Sequence, residues 1–347
     1  MNARRRHLFN PWLDFLGLGG ASLIVLALFF LLYPEDDSAR AVLAVTMLFL
    51  AHFVNHPHFA HSYQLFYSGF REKAFAPSSA LGRRYRTAGI LVPAALAAFF
   101  AASLATGSAE LLGLAANAMF FTVGWHYAKQ GYGILMLDAA QKGRPFGAAG
   151  KRHLLWNVHL AWPTYWLATN DALAAKEYWG LTYYAFDTPD ALLAVLFAAT
   201  AISGAVVLRD LFLKWRQERT LPVNGLVAYV VSIYVWLYLA RLDPILLLIV
   251  PFFHSLQYLC VVWRYQANLE AETLRGPPPP DGARAAPGWA RTLPARFARF
   301  VLIGGLLGGI GFWIAPHFLD SLVGYDRAVF GTTLFLFIGW TFINIHH

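Results

Sequence analysis

Charge is what this sequence has least of. Lys, Arg, Asp and Glu make up 13% of its 347 residues, about half the share of an ordinary soluble domain. With 58% hydrophobic residues, too little polar surface remains to cover a water-soluble core of this size. Windows of about 20 apolar residues, the length that crosses a bilayer, recur along the whole chain. Cysteine is nearly missing as well. Cys260 stands alone, which excludes an intrachain disulfide and any thiolate-rich zinc or iron–sulfur site. A bound metal would have to be held by nitrogen and oxygen. Carboxylates are almost absent from the interiors of the apolar runs, with Asp14 near the end of one.

What is there reads as an all-α, polytopic membrane helix bundle. About ten transmembrane helices are expected, over 12–33, 40–62, 87–106, 110–137, 154–170, 190–208, 222–240, 244–263, 297–316 and 327–347. The first follows Arg4, Arg5 and Arg6. Its apolar run is longer than the roughly 7–15 residues of a signal h-region, so a retained anchor is expected. Both termini are expected in the cytoplasm. With that choice 22 of the 27 Lys and Arg residues fall on inner segments, and four (Arg40, Lys176, Arg241 and Arg327) fall outside. Lys129 lies within a span, and the acidic cluster Glu35, Asp36 and Asp37 falls outside. That asymmetry is the positive-inside pattern, and it suits a bacterial inner membrane. The net charge of +8 reads as loops facing anionic headgroups, not as nucleic-acid binding. The organisation expected is an eight-helix core over 1–265, a Pro/Gly-rich cytoplasmic linker over 266–296 around Pro277–Pro280, and a final helix pair over 297–347.

The chain holds 12 histidines. His52, His56, His58 and His61 stand late in the second expected span, His126 in the later half of the fourth, and His254 in the eighth. His346 and His347 close the tenth. All four spans run inward in the expected topology, so these rings fall at depths where they could meet. His52 and His56 are spaced i,i+4, as a chelating pair on one helical face requires. Pro57 is expected to kink the helix and free carbonyls there. Asn55 adjoins this cluster, and a side-chain amide accompanies the other histidines at helical spacing. The pairs are His126 with Gln130, His254 with Gln257, and His347 with Asn344. Such amides suit an outer shell that orients imidazoles.

A lone histidine near a membrane boundary is usually a hydrogen-bonded polar residue, and His7, His153, His159 and His317 read that way. His254 alone would read as structural too. Four histidines within ten residues, matched in depth by a terminal His-His pair, favour a metal site. Lys129, one turn from His126, reads as a snorkelling cation or, more sharply, as a contact to substrate. Tyr127, Tyr132 and Tyr258 are candidates to supply protons or electrons. The chain is expected to continue beyond His347.

All-imidazole ligation without thiolate suits iron, copper or zinc. More than six histidines exceed one tetrahedral site, so two ions are expected. His52-x3-His56, His58-x2-His61 and His346-His347 resemble the histidine boxes of integral-membrane di-iron desaturases and hydroxylases. The resemblance covers the boxes only. It implies two irons near the cytoplasmic face and activation of oxygen against an unactivated C–H bond of a lipid-like substrate. The sequence departs from that family in three ways. The last box reads Ile343-Asn344-Ile345-His346-His347 instead of His-x-x-His-His. His126 and His254 lie within spans, and no electron-carrier domain is fused to the chain.

The function expected is a dinuclear iron oxygenase acting on an apolar substrate from the bilayer, with a separate electron donor. His52, His56, His58, His61, His126, His254, His346 and His347 are its candidate metal residues. Asn55, Gln130, Gln257 and Asn344 are the candidate outer partners, and Tyr127, Lys129 and Tyr258 the catalytic candidates. A zinc lipid hydrolase, a haem-binding electron carrier and a metal- or proton-coupled transporter stay open as alternatives.

Overall fold

A computed structural model describes residues 7–32, 36–76, 80–172, 176–183, 185, 187–236, 238, 245–275 and 292–347. The expected charges at Arg4–Arg6 and the proline run of the linker, Pro277–Pro280, lie outside the described residues. The fold is all-α apart from one β-hairpin. Its helices are α1 (Pro11–Leu31), α2 (Asp37–Ala51), α3 (Asn55–Tyr67), α4 (Ala80–Ala105), α5 (Ala109–Gln141) and α6 (Ala148–Ala172). They continue with α7 (Asp190–Glu218), α8 (Val223–Val235), α9 (Leu246–Arg275), α10 (Leu293–Leu322) and α11 (Leu334–His346).

Nine of the ten expected spans each fall on one of these helices, and the span expected over 40–62 covers two, α2 and α3. Among the described residues, five stretches are long and apolar enough to cross a membrane: α1, the α2–α3 stretch, α4, α7 and α10. Their apolar side chains, such as Leu31, Val45, Val195, Ile202 and Leu306, lie on the outside of the bundle, as lipid-facing residues do. The linker expected from residue 266 begins later, because 266–275 continue α9.

Helix ends follow local chemistry. Asn10 accepts from the amides of Trp12 and Leu13, and Pro11 occupies the first position of α1, where no N–H is needed. Buried Asp14 takes the amides of Leu8 and Phe9 at 2.8 and 2.9 Å, folding the chain back on the start of α1. Asp36 caps α2, and the hydroxyl and amide of Ser38 hold its carboxyl below the usual carboxylate range.

The kink expected at Pro57 is instead a break at 52–54, between α2 and α3. Pro57 is then the third residue of the restarted helix, where a missing N–H leaves no helical bond unmade. Two other prolines follow π-helical turns, Pro93 after Thr87–Leu91 and Pro316 after Ile310–Ile314. Neither can donate to the carbonyl four residues back. In lipid those carbonyls need protein partners. The Tyr67 hydroxyl donates to the Gly89 carbonyl at 3.0 Å, and the Trp340 indole donates to the Phe312 carbonyl at 3.0 Å. The second bond fixes α11 on α10.

The hairpin pairs β1 (Lys176–Tyr178) with β2 (Leu181–Tyr183). It turns through Trp179 and Gly180, both at positive φ, as a tight two-residue hairpin turn demands. Thr333 donates to the Trp179 carbonyl at 2.6 Å, which ties the hairpin to the start of α11.

A close helix contact joins α3 to α10 through Gly304 and Gly308, a GxxxG pair of the kind that lets membrane helices approach. A Cβ at Gly308 would stand 2.8 Å from the His56 carbonyl carbon and 2.9 Å from its oxygen, and one at Gly304 would strike the His61 ring. Gly305 and Gly309, on the far side, have open space. Gly308→Ala is therefore expected to destabilise the bundle by about 1–3 kcal/mol and to lower its melting temperature in detergent. Gly305→Ala should be neutral or slightly stabilising, and equal effects of the two substitutions would contradict this packing.

Candidate metal centre

Four helices carry one histidine each to a common point: His58 on α3, His126 on α5, His254 on α9, and His347 directly after α11. His58 and His254 are almost wholly buried, and His126 and His347 are partly so. Ring centroids are 4.5 Å apart for His58 and His347, 4.6 Å for His126 and His347, 4.9 Å for His126 and His254, 5.0 Å for His58 and His254, and 6.0 Å for His58 and His126. One ring nitrogen from each of His58, His126 and His254 falls within a group spanning 4.8 Å. Imidazoles bound at about 2.0–2.1 Å to one ion have centroids about 4.5–5.5 Å apart for angles of 90–120°. Four of the five separations fall in that range, and the fifth corresponds to a wider angle.

One arrangement of protons satisfies the hydrogen bonds of both serines. Ser255 gives its hydroxyl proton to Asn55 Oδ1 at 2.7 Å, so at 3.2 Å from His58 Nδ1 it can only accept. His58 therefore carries its proton on Nδ1. Ser62 gives its proton to the Phe59 carbonyl at 2.7 Å, so His347 Nδ1, also at 2.7 Å, is the donor there. Each of these two neutral rings then presents a bare lone pair on Nε2, and the two Nε2 atoms face each other at 3.0 Å. In that arrangement no proton lies between them and the contact is repulsive. Two nitrogens sharing one ion stand about 2.9–3.4 Å apart for angles of 90–109°, so a cation turns the same geometry into ligation. Nearby, His126 Nε2 and both ring nitrogens of His254 are buried without a partner. A buried, unsatisfied polar atom is costly.

The same inventory sorts the other four candidates. His61 accepts from the Trp263 indole, which can only donate, and so gives its Nδ1 proton to Gln64 at 2.7 Å. His346 donates Nε2–H to the Ala88 carbonyl at 2.9 Å and accepts from Tyr63 at 2.8 Å. Both rings are fully occupied in this conformation. His52 and His56 stay together at 4.9 Å despite the break, but their rings stack on Trp313 and Phe312. His56 is buried with neither nitrogen bonded, whereas His52 is exposed and holds its Nδ1 proton against the Leu48 and Phe49 carbonyls.

The candidate outer residues bond chain more than ring. Gln130 donates to the His254 carbonyl at 2.9 Å and to Gln257 Oε1 at 3.1 Å, and Gln257 donates to the Leu18 carbonyl at 2.7 Å. These amides clamp α1, α5 and α9 around the centre. Asn55 holds the serine that holds His58, and Asn344 donates back to the Trp340 carbonyl at 2.8 Å. Tyr127 stacks on His254 at 3.9 Å, and Tyr258 stands edge-on to His58 at 4.5 Å. Lys129 instead lies over Trp125 and Tyr132, with centroids at 5.8 and 5.6 Å. Ser62 and Ser255 did not figure in the sequence reading. Ser62 is one helical turn after His58 and Ser255 adjoins His254, so a search for hydroxyls alongside amides would have found both.

A cavity of about 140 Å³ adjoins the centre, with Asn55, Tyr127, Trp340 and Asn344 in its wall. Comparison with protein-family models, with curated proteins and with solved structures gives no match for this chain.

Proposed function

We propose that this chain is a membrane-embedded oxidoreductase built on one iron ion, held by His58, His126, His254 and His347, that acts on an apolar substrate drawn from the bilayer. The observation that carries the reading is the approach of the His58 and His347 Nε2 atoms to 3.0 Å, beside the partnerless nitrogens of His126 and His254. One ion is proposed in place of the two that the histidine boxes imply. His61 and His346 have both nitrogens bonded, and His52 and His56 offer only two rings with no carboxylate beside them. Imidazole sets suit iron, copper and zinc alike. Zinc hydrolysis would also need a general base, and the described group of converging ligands contains no Asp or Glu, which favours a redox role.

A bound iron would supply one-electron and oxygen chemistry. The chain's own residues do the rest. Ser62 and Ser255 keep the Nδ1 protons of His347 and His58 in place, which points both Nε2 lone pairs inward. Tyr127 covers one face of His254. The apolar walls exclude water that would divert a reactive centre. A separate electron donor would deliver reducing equivalents, and the orientation favoured by the basic loops puts the centre in the cytoplasmic half of a bacterial inner membrane. Lys129, turned toward Trp125 and Tyr132, has no part in this scheme.

Elemental analysis of the untagged protein in detergent tests the reading. About one iron per chain is expected, without a haem absorption band. His254→Ala should lose most of it, whereas His346→Ala should retain it. Failure to bind any metal stoichiometrically after reconstitution would sink the proposal, and zinc alone would redirect it to hydrolysis. Ser62→Ala and Ser255→Ala each remove an outer partner and should weaken metal affinity roughly 10–100-fold in a chelator competition. Unchanged affinity in both would show that the proton positions argued above are wrong.

A further inference from the structure

The cavity beside the histidines is in register with them. Asn55, Val123, Pro251 and Asn344 all line it, and each stands three residues before a histidine of the quartet: His58, His126, His254 and His347. Three residues of helix rise about 4.5 Å, so the cavity lies roughly one turn from the centre, on the N-terminal side of all four helices at once. Helical side chains lean toward the N-terminus, so the imidazoles lean toward this space.

We infer that the cavity is the substrate chamber of the centre and receives the reacting end of a neutral, largely apolar molecule bearing one hydroxyl or carbonyl group. This inference rests on the metal-centre reading. Among the described residues, no Lys, Arg, His, Asp or Glu lines the cavity, so a carboxylate or amine would enter a low-dielectric space without a counter-charge. The polar groups present come in complementary form. Asn344 spends an amide proton on the Trp340 carbonyl and keeps its Oδ1 free to accept. Asn55 Oδ1 takes the Ser255 proton, which leaves its own N–H groups free to donate. Tyr127 and Tyr178 add phenols to the wall. One hydroxyl can satisfy both an acceptor and a donor, and one carbonyl can take the donor.

The small volume, about 140 Å³, fits the end of a longer molecule whose remainder stays in lipid. Entry runs past α2, which contributes Met47, Leu48 and Ala51 to the wall. No residue of α2 is buried, and the helix ends at the 52–54 break. It is thus a thin partition between the chamber and the apolar exterior.

The test is photolabelling of the metal-loaded protein in lipid nanodiscs with a long-chain alcohol carrying a diazirine near its hydroxyl, the adducts being mapped by mass spectrometry. Adducts are expected on 47–55, 119–127 and 340–344. Excess decanol should remove most of them, and equal decanoate should not. Val123→Trp, which fills the chamber, should abolish them while iron per chain stays unchanged. Adducts confined to lipid-facing positions such as Val195 and Ile202 on α7 would overturn the chamber, as would labelling insensitive to decanol. Equal competition by decanoate would overturn the neutral substrate class. Specific labelling of a protein that binds no metal would leave the chamber standing and sink the metal reading, so the two failures are separable.

Discussion

Two imidazole nitrogens held face to face at 3.0 Å are the constraint around which the rest of this structure is arranged. A serine stands at the other nitrogen of each ring and fixes its orientation. The contact also depends on helix positions set far from it. The α3 helix is fixed by Gly304 and Gly308 of α10, where any side chain would meet His56 or His61. The α11 helix is fixed by Trp340 on the Phe312 carbonyl and by Thr333 on the hairpin. The α9 helix is fixed to α5 and α1 by Gln130 and Gln257. A close ring-to-ring contact maintained by so many others is the pre-organisation that the proposed ligation requires.

The irregular backbone serves the same end. A π-turn or a proline in a lipid-exposed helix strands a carbonyl, which lipid cannot satisfy. Here the Gly89 and Phe312 carbonyls are taken by Tyr67 and Trp340 from neighbouring helices. What would be a defect in one helix becomes a specific bond between two. The same Trp340 stands in the wall of the cavity, so the bond that locks α11 also shapes the space beside the centre.

Much of this was legible in the sequence. Hydropathy alone located the apolar middle of each long helix but not its ends, since α7 runs to Glu218 and α9 to Arg275, well past the expected 208 and 263, and the count of basic residues put four histidine-bearing helices in a common direction. The shared i−3 register of Asn55, Val123, Pro251 and Asn344 on the cavity agrees with that direction. The membership of the quartet was not legible, because it depends on helix rotation. His52 and His56 have chelating spacing, but the break at 52–54 and the stacking partners Trp313 and Phe312 give that pair a different environment from His58. His61 and His346 are separated from the quartet by partners distant in sequence, Trp263 and the Ala88 carbonyl. Ser62 and Ser255 act through which atom holds a proton, and a spacing pattern does not encode that. Pro57 marked the right place and the wrong mechanism, since it begins a helix instead of bending one.

The absence of carboxylates from the quartet has a consequence for any ion it holds. Four neutral imidazoles leave the charge of the ion uncompensated in a medium of low dielectric constant, where charge is most costly. The higher oxidation state bears the larger penalty, so the lower state is favoured and the reduction potential is raised relative to a carboxylate-rich site. Partial compensation comes from α11, whose C-terminal carbonyls end at His347 and carry the negative end of the helix dipole. The rings of Tyr127 and Tyr258 add weakly hydrated, polarisable neighbours. An ion bound there would rest in its reduced form, and an uncharged oxidant would meet no charged barrier in an apolar wall. Charge scarcity thus governs the whole chain, from the helices that seek lipid to the centre they enclose.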